Sequence, residues 1–109
     1  MSQDIEAASQ GSEVWQYVLQ SEDPSPTEFS TYTAVLLPMN AQVLGVGVGP
    51  QGRAVLWAEV DPSMKYEERA FCAINSGEPL PEGHKAYVGT VQLSHGNLPQ
   101  IWHIYEVSA

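Results

Sequence analysis

The chain has 109 residues, one cysteine, and thirteen Asp and Glu against four Lys and Arg, for a formal net charge of −9. That length encloses one hydrophobic core without staples, and a lone cysteine forms no internal disulfide. So few basic residues argue against direct nucleic-acid binding, which needs cations to neutralise phosphates, and no apolar run reaches the roughly 20 residues of a membrane helix.

The charge is uneven. Residues 1–28 hold Asp4, Glu6, Glu13, Glu22, Asp23 and Glu28 with no Lys or Arg, a local charge of −6, which leaves −3 for residues 29–109. Residues 1–12 are polar and aperiodic and read as a disordered acidic tail. They lack the basic and apolar segments of a secretory signal. The expected compartment is therefore the reducing cytoplasm, and the expected domain spans 13–109.

EVWQYVL (13–19) places Trp15, Tyr17 and Leu19 on one side of a strand. SEDPSPTE (21–28) is a stiff acidic loop. FSTYTAVLL (29–37) is β-branched and aromatic, a second strand closed by Pro38.

AQVLGVGVGPQGRAVLWAEVDP (41–62) is the most informative stretch. Pro50 suits the second position of a type I turn and Gly52 the left-handed residue after it. That loop sets Gly49 opposite Arg53 and pairs Val48 with Ala54, Gly47 with Val55, Val46 with Leu56, Gly45 with Trp57 and Leu44 with Ala58. One face becomes Leu44, Val46, Val48, Ala54, Leu56 and Ala58, all apolar. The other carries Gly45, Gly47, Gly49, Arg53, Val55, Trp57 and Glu59, with the indole covering Gly45. A slip of one residue would mix the faces, so the register is well specified.

Asp61-Pro62 reads as a cap and first-turn proline for a short helix over 62–69. Strands follow at 70–74, 85–93 and 101–107, separated by turn-rich segments at 75–84 and 94–100. The expected fold is mainly β: a single small antiparallel sandwich or partly open barrel of about seven strands.

Residues 47–52 (GVGPQG) match G-x-G-x-x-G, but a dinucleotide site needs a helix after that motif, and here a strand follows. The hairpin turn explains the glycines better. His84, His95 and His103, with one distant cysteine, give no close-spaced metal ligand set, although His95 and His103 flank one loop and are expected near each other. Cys72, on a strand beside Phe71, reads as a small buried hydrophobe. Ser63 and Ser94 lie in no nucleophile signature. The expectation is no enzyme, no cofactor and no metal. Aromatic and Arg side chains dominate binding hot spots, so Arg53, Trp57, Arg69 and Trp102 are the candidate partner-binding residues.

Several phrases in order, V-W-Q-Y, L-P-M-N-A-Q-V-L-G-V, V-L-W-A-E-V-D-P, E-R-A-F, G-E-P-L-P, Y-V-G-T-V-Q-L and I-W-H-I-Y-E-V, resemble a family of small uncharacterised proteins from phages, prophages and bacterial genomes, a domain of unknown function. The resemblance covers about residues 13–107 and carries no catalytic residues. It implies a phage accessory gene acting inside a bacterial host cell.

The leading expectation is a non-enzymatic binding protein that modulates a host process. Specifically, it would inhibit a bacterial antiviral defence system by contact with a host protein or by sequestering a signal nucleotide. Four Lys and Arg make a poor nucleotide pocket, which favours a protein partner. The alternative is a minor virion structural or assembly protein. Few charges guard the strand edges, so a homodimer is also expected, through an edge or the Trp57 face. Neither nucleic acid nor membrane is an expected partner.

Overall fold

The computed structural model describes residues 12–19, 32–95 and 98–108. The expected tail, apart from Ser12, and the acidic loop over 21–28 lie outside these residues. Seven strands run in chain order: β1 (Glu13–Val18), β2 (Tyr32–Pro38), β3 (Gln42–Val48), β4 (Ala54–Val60), β5 (Tyr66–Asn75), β6 (His84–His95) and β7 (Leu98–Ser108). One antiparallel sheet has the order β1-β4-β3, the other β2-β5-β7-β6. They pack as a sandwich around one core, and neither closes into a barrel.

The core follows from alternation. Ala54, Leu56, Ala58 and Val60 project from one side of β4 and form a single cluster with Leu37, Phe71, Val91 and Ile104 of the facing sheet. Burying each Leu, Ile or Phe contributes about 1.5–3 kcal/mol of transfer free energy. Trp102 belongs to this core.

The β3–β4 hairpin takes the expected register at four pairs: Val48 with Ala54, Gly47 with Val55, Val46 with Leu56 and Gly45 with Trp57. Gly49 N–H donates to Arg53 O, and Gly52, at φ 79°, closes the turn. The expected Leu44–Ala58 pair does not form. A bulge between Val43 and Gly45 pairs Val43 with Ala58 instead and leaves Leu44 51% exposed. A bulge adds one residue to one strand and so reverses the facing of what precedes it.

The expected helix over 62–69 is replaced by a turn and a strand. Asp61 Oδ1 accepts from Ser63 N–H at 3.0 Å and Ser63 Oγ at 2.7 Å, and Met64 N–H donates to Asp61 O. These bonds hold the Asp61 carboxyl below its ordinary range. The chain then enters β5 at Tyr66, where Leu37 pairs with Glu67 and Val35 with Arg69. An eight-residue helix is too short to stand alone, and β2 offers this segment a complete ladder.

β3 and β6 are the edges that meet across the sandwich. Gly89 of β6 lies against Val46 of β3, so that a methyl group at 89 would come within 2.8 Å of Val46 Cγ2. β6 also bulges, between Tyr87 and Gly89. His95 pairs with Leu98 and His103 with Thr90, five register positions away. The ladder therefore sets the two histidine backbones about 17 Å apart along β7, against the expectation that they meet.

Candidate functional site

Three surfaces collect chemistry-bearing side chains. The first is the outer face of β1-β4-β3. Residues 53, 55, 57 and 59 alternate outward from β4, and the glycines of β3 make room beside them. A methyl group at Gly47 would meet Trp57 Cζ3 at 2.7 Å, and one at Gly49 would meet Val55 Cγ1 at 2.9 Å. Trp57 thus lies over Gly47. The expected cover over Gly45 is not formed, since nothing comes within 4 Å of a methyl group there. Trp57 Nε1–H donates to Gln16 Oε1 of β1 at 3.2 Å. Gln16, Val18, Gly49, Pro50, Arg53 and Val55 line a hollow of about 190 Å³ beside the indole. Arg53 and Trp57 thus share one surface, where Gln16 both accepts from the Trp57 indole and lines the hollow together with Arg53. No local pattern singles out Gln16, because the β1–β4 pairing that sets it opposite Trp57 joins segments 41 residues apart.

The second surface is a cleft of about 400 Å³ where β3 and β6 splay beside their bulges, lined in part by Val43, Tyr87 and Val88. Arg69 and Glu106 lie at its base. Arg69 Nε and Nη2 donate to the two Glu106 carboxylate oxygens at 2.6 and 2.8 Å, and Nη1 donates to Ala41 O at 2.6 Å. The Glu106 carboxylate holds the Arg69 guanidinium above its ordinary pKa, against burial. This fork ties β5 and β7 to the chain entering β3. Arg69 is thus engaged inside the fold, away from Arg53 and Trp57, and Trp102 is 9% exposed in the core. Of the four candidate partner-binding residues, the structure brings two together.

The third surface is the outer face of β2-β5-β7-β6. His103 Nε2 lies 2.8 Å from Ser76 Oγ and its Nδ1 lies 3.0 Å from Thr90 Oγ1, while Thr90 in turn bonds the Tyr87 hydroxyl. Both ring nitrogens thus have hydroxyl partners. Each hydroxyl can donate or accept, so the ring tautomer sets the direction of both bonds. No sequence pattern marks this hydrogen-bonded chain, because it joins β6, β7 and the turn after β5. Cys72 is buried beneath the same face, and burial pushes its thiol pKa up.

Among the described residues, no group of three or more His, Cys, Asp or Glu is placed to hold a metal ion, and no helix is long and apolar enough to cross a membrane. No curated protein and no solved structure is significantly similar to the chain. A family model does match, over residues 11–109. The chain belongs to that family, the domain of unknown function DUF7352.

Proposed function

We propose that this domain is a non-enzymatic binding protein that docks a protein partner on the outer face of β1-β4-β3, with Trp57 and Arg53 as its anchors. The observation that carries this reading is the Gln16-bridged pairing of Trp57 with the Arg53-lined hollow. Tryptophan and arginine at the centre of a contact each account for 2 kcal/mol or more of binding, as a rough guide, when they fill a desolvated notch. Val14 and Val18 are exposed on the same face and supply apolar surface around the anchors.

The resemblance to phage and prophage proteins supports a host protein as that partner, and a bacterial antiviral defence component as its class. On this reading the domain acts in the host cytoplasm by occupying its target's surface. The test is affinity capture from bacterial lysate with the wild-type chain and with Arg53→Glu and Trp57→Ala, paired with infection of defended hosts. A partner held by the wild type and lost by both variants, together with restored phage growth from the wild type alone, supports the reading. Equal capture by all three chains overturns the site. Absence of protection on defended hosts overturns the defence role.

A further inference from the structure

We infer that two copies of this chain pack face to face through the outer surface of β2-β5-β7-β6. The proposal is independent of the partner site, which lies on the opposite face of the sandwich.

The cross-strand register lays this face out in rows. One row reads Tyr32, Cys72, Tyr105 and Tyr87 across all four strands. Its neighbour reads Ala34, Ala70, Val107 and Lys85. Leu36 and Glu68 form a third row. Five large apolar or aromatic side chains stand exposed here: Tyr32, Leu36, Tyr66, Tyr87 and Ile101, with Tyr87 at 59%. An exposed apolar patch of this extent marks an interaction surface.

Three observations select a second copy as the occupant. The first is charge. Each chain carries −9, so two copies repel unless they meet where charge is low and balanced. On this face the charged side chains among the described residues are Glu68 and Lys85, one of each sign. A two-fold axis along the strands places β2 over the second copy's β6. Tyr32 then lies over the second copy's Tyr87, and Glu68 comes within side-chain reach of the second copy's Lys85, at the ~10 Å spacing of stacked sheets. Among the described residues, the Lys85 ammonium donates to Gly83 O at 3.0 Å.

The second observation is area. Under that two-fold, β2 opposes the second copy's β6 over two outward rows and β5 opposes its β7 over three, which at about 4.8 Å between strands and about 6.8 Å between rows gives roughly 330 Å² of plan surface per copy. That is below the roughly 600–1,000 Å² per partner of a standard interface and fits a weak, reversible dimer.

The third is polar satisfaction. The Ser76, His103, Thr90 and Tyr87 groups already share three hydrogen bonds, which lowers the cost of covering them. Such a dimer leaves its two Trp57 surfaces facing outward on opposite sides.

Sedimentation equilibrium of the full chain tests this, with circular dichroism to confirm that each variant is folded. The wild type is expected to dimerise, and Tyr87→Glu and Leu36→Glu to be monomeric. Glu68→Lys and Lys85→Glu are each expected to weaken the dimer about tenfold, from two lost exposed pairs, and the double variant to restore it. A wild type that stays monomeric at about 100 μM, far above a micromolar dissociation constant, overturns the proposal. So does a dimer that survives Tyr87→Glu and Leu36→Glu, because it must then form through a strand edge or the Trp57 face. Failure of the charge swap to restore association overturns the two-fold arrangement.

Discussion

Trp57 lies across Gly47, where an added methyl group would come within 2.7 Å of the indole Cζ3. The glycine is thus half of the seat that orients the indole, and the Gln16 hydrogen bond is the other half. Gly47→Ala is expected to displace the ring, at a cost of about 1–3 kcal/mol for overpacking, with a shifted tryptophan emission. Gly45→Ala is the control. Nothing lies within 4 Å of its added methyl, so it is expected to be neutral or to stabilise by up to about 1 kcal/mol through the unfolded chain. Urea denaturation of both variants measures the difference.

The Arg69–Glu106 fork holds the β3 entrance to the four-stranded sheet. The two side chains are 19% and 25% exposed, so water screens the pair only in part. Arg69→Ala leaves Glu106 half-buried without its partner and Ala41 O without its donor. The expected loss is about 2 kcal/mol, below the range for a fully buried pair. Arg69→Lys is expected to recover less than half of it, because an ammonium cannot make the two-point contact. Chemical denaturation near neutral pH gives both values.

Burial raises the pKa of the Cys72 thiol and of the Tyr17 hydroxyl, which lies buried with no hydrogen-bond partner among the described residues. A folded-state pKa raised above the unfolded one means stability that is whole below the unfolded value and lost as pH rises. Stability is therefore expected to fall above pH 9.0 as the unfolded thiol ionises, and further above 10.0 as the unfolded phenol does. Cys72→Ala is expected to flatten the first part of that decline and Tyr17→Phe the second. Removing the unpartnered hydroxyl is also expected to stabilise by up to about 1 kcal/mol at neutral pH. Thermal melts from pH 7 to 11 check both signs. Alkylation of Cys72 is expected to proceed only as fast as the fold opens.

Much of the architecture was legible where local chemistry sets it. Pro50 and Gly52 define one turn, the turn defines the register, and the register sorts Ala54, Leu56 and Ala58 inward and Arg53, Val55 and Trp57 outward. The limit came at Leu44, because the alternation of apolar residues carries no mark of the bulge between Val43 and Gly45 that turns it outward. The stretch 62–69 failed for a related reason. Its capping signal is real, but Asp61 serves a turn, and the ladder offered by β2 outweighs a marginal helix. In the candidate site, Arg53 and Trp57 share one strand and one periodicity, so sequence placed them together. Gln16, Glu106 and His103 arrive from other strands, and their pairings exist only after the sheets form. Residue type alone marks Arg69 and Trp102 as candidates, and it says nothing about facing. Arg69 pairs with Val35 on the inner side and Trp102 packs in the core.

The central claim, that the domain binds a protein partner through Trp57 and Arg53, is tested most directly by isothermal titration of the captured partner against the wild type, Trp57→Ala and Arg53→Glu, each confirmed folded. Each variant is expected to bind at least about thirtyfold more weakly, the effect of removing a 2 kcal/mol anchor. Wild-type affinity in both variants would contradict the claim.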